Sequence, residues 1–180
     1  FRDLIQYTSA PAVQNGTNFD NIAGANADGL EANLGFVLPS AVRTNVTYAF
    51  TRTRVTDSGY DTVPGANLVL GQRLIRRPAH AVRVEFGRPL GTRAGVTVGA
   101  AYTGKADDRN FGVYPAESVV LPARSLIDFA STVRLSASGA RVPLSARARI
   151  DNLTGVHYQG IYGFEAPGRA VRLGLTLGNP

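Results

Sequence analysis

The stretch VRTNVTYAFTRT, Val42 to Thr53, decides the fold. Its even positions are Val42, Thr44, Val46, Tyr48, Phe50 and Arg52, and its odd positions are Arg43, Asn45, Thr47, Ala49, Thr51 and Thr53. One set is mostly apolar and the other mostly polar. Successive side chains of a strand point to opposite faces, so this period of two predicts a strand with one apolar and one wet face. A helix would need apolar residues at i, i+3, i+4 and i+7, which the window does not offer.

The pattern recurs on both sides. HAVRVEFG (80–87) sets Val82, Val84 and Phe86 against Arg83 and Glu85, and LIDFASTVRLS (126–136) sets Ile127, Phe129, Val133 and Leu135 against Asp128, Thr132 and Arg134. LSARARID (144–151) and the closing run, with Val171, Leu173, Leu175 and Leu177 opposite Arg172, Gly174 and Thr176, behave alike. GLEANLGF (29–36) and GVTVGAAY (95–102) are weaker members, and DLIQY (3–7) reads as the tail of another strand. The sum is about eight strands.

Between them, short breaks at Pro39-Ser40, Pro89-Leu90-Gly91 and Ser138-Gly139 alternate with long polar breaks near 8–20, 56–78, 104–123 and 152–168. In an up-and-down antiparallel sheet this puts every tight turn at one end and every long loop at the other. Outer-membrane barrels have that asymmetry.

Composition narrows the partners. The 180 residues suffice for one domain, and no run approaches the ~20 apolar residues of a spanning helix, which says nothing against a β-barrel. There is no cysteine, so disulfides, thiolate metal sites and a Cys nucleophile are excluded. The net charge of +6 comes from 18 Arg and a single Lys, Lys105, scattered through the alternating segments and not gathered into a nucleic-acid-binding patch. FRDLIQYTSA lacks a basic n-region and an apolar h-region, so it is not a signal peptide; without an initiator Met, either a processed front or a fragment of a longer chain is expected.

Two arrangements fit the alternation. A soluble barrel or sandwich turns the apolar face inward, whereas a membrane barrel turns it to lipid and lines its lumen with the polar face. Arg without Lys suits confined hydrogen-bonded networks on the polar face. The apolar faces are rich in Ala and Val, thin material for a packed soluble core. Phe36, Tyr48, Phe50, Phe86, Tyr102 and Phe129 lie on those faces, as an interfacial girdle would. These features favour an all-β, antiparallel, up-and-down transmembrane β-barrel.

Four stretches carry a resemblance. Arg149-Ile150-Asp151-Asn152-Leu153 resembles the penultimate strand of TonB-dependent outer-membrane receptors, which continues with an aromatic and an Asp where this chain has Thr154 and Gly155. Tyr162 to Arg169 resembles the aromatic, Pro-Gly-Arg entry to their last strand. Leu74 to His80 resembles an Arg-Pro-x-His strand start, and Asn21 to Leu34 a long strand bearing Gly29-Leu30-Glu31. The resemblance implies that residues 1–180 are the C-terminal part of a 22-stranded barrel, with the plug domain, its TonB-contacting box and about fourteen N-terminal strands outside this sequence. It implies uptake of a siderophore or cobalamin-like ligand across the bacterial outer membrane, with TonB engaged only through the plug. The family usually ends on an aromatic; here Asn179 and Pro180 stand at the end, which puts assembly by the usual signal in question. Isolated strands of this number would either leave two open edges or close as a small barrel.

Two other functions remain open on the residues: a stand-alone eight-stranded outer-membrane barrel with a structural or adhesive role, and a soluble ligand-binding β-barrel. Nothing points to an enzyme or a cofactor. His80 and His157 lie far apart without ligand-spaced partners, and His80 reads as structural. Asp107-Asp108 and Asp57/Asp61 lack the alternating donors and closing Glu of a calcium loop and read as solvated loop residues. For import, the resemblance puts ligand contacts in the long loops and lumenal rim. The candidate region is Arg73, Arg76, Arg77, Arg109, Phe111, Tyr114, His157, Tyr158 and Tyr162, where arginines suit an anionic iron chelate and tyrosines a corrin or aromatic face.

Overall fold

A computed structural model describes residues 4–7, 19–59, 64–137 and 140–178, with side chains from residue 23 onward. Asp61, the Ser138-Gly139 break, the first long break as far as residue 18 and the closing Asn179-Pro180 lie outside the described residues.

Eight strands form one antiparallel sheet. They are β1 (Leu4–Tyr7), β2 (Phe19–Leu38), β3 (Val42–Asp57), β4 (His80–Leu90), β5 (Ala94–Thr103), β8 (Arg124–Arg134), β9 (Leu144–Asp151) and β12 (Ala170–Leu177), paired in that order. β1 and β12 are the two ends of the sheet and do not pair with each other among the described residues. Two long loops contain hairpins that the sequence reading treats as plain breaks: β6 (Ala106–Asn110) with β7 (Glu117–Leu121), and β10 (Gln159–Ile161) with β11 (Phe164–Glu165). Their strands are too short for a period of two to show.

The register aligns the apolar sets across the whole sheet. One row runs Phe36, Thr44, Phe86, Val98, Phe129, Ile150, Val171, and the next runs Leu34, Val46, Val84, Ala100, Ile127. Every member of both rows comes from the face that the alternation marks apolar. The opposite face carries Asn45, Glu85, Gly99 and Asp128 in one row and Arg149 beside Arg172 in another. A one-residue slip in β3, β4, β8 or β9 would put charges among the apolar rows, so the alternation itself fixes their pairing.

The apolar side chains form no internal core. Leu34, Val171, Leu175 and Leu177 are exposed, and Leu173 is 82% exposed. From Val42 to Phe50 the apolar set of β3 spans about 27 Å of strand, or about 21 Å of height at a tilt near 40°, close to a membrane barrel's apolar band. The soluble arrangement would bury this face. Instead Val55, Thr53, Ala25 and Ala23 are buried where β2 and β3 run beyond the band at the long-loop end. There the loop after β3 lies along it: Thr51 and Val55 amides donate to the Ala79 and Gln72 carbonyls, and the Gly71 amide donates to Val55.

Pro39, Ser40 and Ala41 make the turn between β2 and β3, with Ser40 and Ala41 at φ 62° and 58°. β4 extends through Pro89 and Leu90, so the next tight turn is Gly91 to Arg93.

Candidate functional site

Three long loops meet on one carboxylate at the long-loop end of the sheet. Asp108, on β6, is 1% exposed. Its Oδ1 accepts from Arg76 Nε and from the Arg109 amide, each at 2.8 Å, and its Oδ2 accepts from the Tyr162 amide at 2.8 Å. Arg76 belongs to the loop after β3, and Tyr162 to the turn between β10 and β11. Burial works against the Asp108 charge. The Tyr162 and Arg109 amides and the Arg76 guanidinium outweigh it and hold the carboxyl below its ordinary range.

Neighbouring contacts reinforce the junction. The Arg76 amide donates to the Asp107 carbonyl at 2.7 Å, and the Arg76 guanidinium stands 5.8 Å from the Phe111 ring centre. Arg109 is buried and donates to Ser118 Oγ on β7 at 2.9 Å. Gly65 meets the same hairpin: at φ 87°, a Cβ on it would stand 2.5 Å from the Ala116 amide nitrogen. Arg124, opening β8, lies 4.6 Å from the Tyr158 ring centre.

The Asn152-Leu153 pair has a visible role. Asn152 is buried at φ 51°, its Nδ2 donating to the Val156 carbonyl at 2.8 Å while its Oδ1 accepts the Val156 amide at 2.9 Å. Its own amide donates to Asp128 Oδ1 and that of Leu153 to the Ile127 carbonyl. The loop after β9 is thus launched from a closed ring of hydrogen bonds. Gly29 has a role too, because a Cβ there would stand 2.5 Å from the Phe50 carbonyl oxygen.

Of the nine candidate residues, Arg76 reaches Asp108 with its side chain and stands by the Phe111 ring, Arg109 and Tyr162 meet the same carboxylate through their amides, and Tyr158 stacks beneath Arg124. Arg77 and Arg76 line a cleft of about 480 Å³ with Thr51, Thr53, Leu74 and Pro78. Its sheet residues, Ala27, Ala49, Thr51, Thr53 and Ala81, share the parity of the polar face, so the cleft opens toward the lumen. Arg73 lines a different cleft. Tyr114 stands out at 89% exposure near the β6–β7 tip, and His157 is also exposed. His80 lies on the apolar face, its Nδ1 2.9 Å from Tyr48 Oη and its ring 5.2 Å from Phe50, in the structural role expected of it. Asp108 is the correction: a residue expected to be solvated is buried. Apart from the adjacent Arg109 amide, its partners lie 32 and 54 residues away, so no local sequence signal marks it. No group of His, Cys, Asp and Glu able to hold a metal occurs among the described residues.

On the polar face of the wall, Arg149 bridges Asp128 at 3.4 Å and Asp151 at 2.6 Å, Arg172 reaches the other oxygen of Asp151, and Arg83 pairs with Glu85 at 3.4 Å. Arg149 with Asp128 and Arg172 with Asp151 tie neighbouring strands together, while Arg83–Glu85 and Arg149–Asp151 lie within single strands. With an exposed apolar face behind these pairs, tight turns at one end and knitted loops at the other, the chain is a segment of an outer-membrane barrel wall.

Residues 1–153 match the TonB dependent receptor-like β-barrel family, and the chain belongs to it. Solved structures agree on the fold. The siderophore receptor PiuA from Acinetobacter baumannii is 17% identical with a TM-score of 0.69, over 97% of this chain and 24% of that one. The pyoverdine receptor FpvA from Pseudomonas aeruginosa is 16% identical at 0.69, over 98% and 25%. The ferric-catecholate import receptor Fiu from E. coli K12 is 15% identical at 0.65, over 97% and 23%. The chain spans about a quarter of these receptors. The family is one of outer-membrane barrels, and its members here are receptors rather than enzymes.

Proposed function

We propose that this chain is the C-terminal part of the barrel wall of a receptor that imports an anionic iron chelate of siderophore type. The plug, its TonB box and the remaining strands belong to the same protein outside this sequence. One observation carries the reading: a lumen-facing cleft at the long-loop end presents the Arg77 guanidinium over an apolar and hydroxyl wall, and Asp108 ties the loops around it. Arg matches the planar oxygen donors of carboxylate and catecholate ligands better than Lys does. Phe111, Tyr114 and Tyr162, exposed on the same loops, offer aromatic faces. Binding and gating need no covalent chemistry from these residues.

The test is ferric-chelate binding to cells expressing the full receptor. Arg77→Ala should weaken an anionic chelate about tenfold, the worth of one charge-assisted hydrogen bond. If Arg77→Glu binds every anionic chelate like the wild type, the anionic-ligand reading fails; a neutral corrin bound instead would establish the cobalamin-like alternative.

A further inference from the structure

The alternation of β3 continues past the apolar band. Thr53 and Val55 are buried, while Arg52 and Arg54 are exposed. Their parity is that of Tyr48 and Phe50, so they stand on the lipid side of the wall. At about 3.4 Å per residue and a tilt near 40°, they lie about 5 and 10 Å above Phe50. A bilayer's headgroup layer is about 5–7 Å thick on each side, so both guanidiniums fall at or just above headgroup depth. Below them the Tyr48, Phe50 and His80 rings make an interfacial aromatic cluster.

These residues line a cleft of about 590 Å³ that is separate from the lumen-facing one. Arg73 closes it from the neighbouring loop. Its Nη2 reaches the Arg77 carbonyl only at 3.5 Å, and its Nε is buried with no hydrogen-bond partner. The Arg54 guanidinium lies beside Gly71, 3.7 Å from where a Cβ would stand. Among the described lining residues Asp28 is the one carboxylate, 3.7 Å from Arg52 in an exposed pair worth little. Three cations against one anion leave the cleft at a net +2, over a floor that includes Phe50 and Ala79.

We propose that this cleft binds the phosphate group of an outer-leaflet lipid. Three guanidiniums able to grip phosphate oxygens in pairs stand directly above an apolar strip, which is the profile of a phosphorylated amphiphile. A soluble anion would need no apolar strip and would enter from the lumen or the loops. The site is distinct from the Arg77 cleft and does not depend on which nutrient the receptor carries.

The experiment uses the full-length receptor in neutral detergent and native mass spectrometry. The probes are bisphosphorylated lipid A, its dephosphorylated counterpart and inorganic phosphate. The wild type should retain the phosphorylated lipid at least tenfold better than the dephosphorylated one. Arg52→Ser with Arg54→Ser should abolish the difference, and Arg52→Lys with Arg54→Lys should keep part of it; heat-modifiable migration verifies that each variant is folded. Equal retention of both lipids, or no effect of the serine pair in a folded barrel, overturns the proposal. Inorganic phosphate competing as well as the lipid overturns it in favour of a free-anion site. Chelate binding should be unchanged in the serine pair, which separates this result from failure of the import reading.

Discussion

Replacing Asp108 by Asn tests whether one carboxylate holds the loop cluster together. The change keeps the shape and removes the charge and one acceptor. Asp108 accepts two donors on Oδ1 and one on Oδ2. Whichever way the new amide turns, its NH₂ faces at least one N–H. A buried donor left without a partner costs about 1–3 kcal/mol. Lost charge assistance from Arg76 adds about 1 kcal/mol, kept small because that side chain is 34% exposed. The local opening free energy should therefore fall by about 2–4 kcal/mol. Amide hydrogen exchange in the reconstituted receptor reads this directly. Protection at Tyr162 and Arg76 should drop about 30-fold to several hundredfold, since each 1.4 kcal/mol is tenfold. Strand amides such as those of Val98 and Ala130 should not change. Unaltered protection at Tyr162 would refute the junction, and a uniform loss across β5 and β8 would mean the loops are not a separate unit. The pH dependence has a definite sign. The folded Asp108 pKa is depressed, so its stabilisation is fully present above the ordinary carboxylate pKa near 4 and is lost as pH falls through the depressed value. The wild-type loops should hold from neutral pH down to about 4 and open selectively in stronger acid, whereas the Asn variant should lose this acid step.

Three further changes probe other parts of the wall. Gly65→Val places a Cβ within 2.5 Å of the Ala116 backbone at φ 87°, so the contact between the first described long loop and the β6–β7 tip should break; limited trypsinolysis after Arg73 and Arg76 should speed up at least tenfold, and unchanged cleavage would count against that contact. Phe129→Arg, in the middle of β8, should cost about 2–4 kcal/mol in denaturant titrations of folding into bilayers; no effect there would reverse the assignment of faces. Asn152→Ala loses both hydrogen bonds to Val156 and suits φ 51° poorly, so it should destabilise the loop after β9 by about 2 kcal/mol, read as faster exchange at the Val156 amide with the β9 strand unchanged.

The wall was legible because a barrel strand declares itself residue by residue. Val42 to Thr53 gives both faces, and the same parity in β4, β5, β8, β9 and β12 reproduces the observed register. The reading stopped at the edge of the band for a physical reason. β2 begins at Phe19 and β3 reaches Asp57, well beyond the windows 29–36 and 42–53, because the loop covers one face of the outer hairpin, at Ala23, Ala25, Thr53 and Val55, while polar residues stand on the other, and the hairpin no longer separates lipid from water. The candidate region was drawn on residue type; in the structure Arg76 meets Asp108 and Phe111, and the Arg109 amide meets the same carboxylate. Residue type could not find Asp108, whose role exists only once three loops have closed, and it did not distinguish Arg77, facing the lumen, from Arg73, lining the cleft shared with Arg52 and Arg54. Side-chain type is local, but which side of a loop it serves depends on where the loop lies against the sheet.

The arginines show how one composition serves three surroundings. Along the wall, Arg83, Arg149 and Arg172 are each matched to Glu85, Asp128 or Asp151 on the polar face. In the loops, Arg76, Arg109 and Arg124 are used within the protein, by Asp108, Ser118 and Tyr158. Among the described residues, no carboxylate lies within ion-pair distance of Arg54, Arg73 or Arg77. All three sit at the long-loop end, and they divide between the two clefts by the face they share. Arg43, Arg88, Arg93 and Arg134, toward the tight-turn end, likewise have no carboxylate within ion-pair distance among the described residues, so unpaired positive charge stands at both ends of the wall. At the long-loop end it divides between a lumen-side cleft and a lipid-side cleft. The same parity rule that sorts apolar from polar residues in β3 sorts these two destinations.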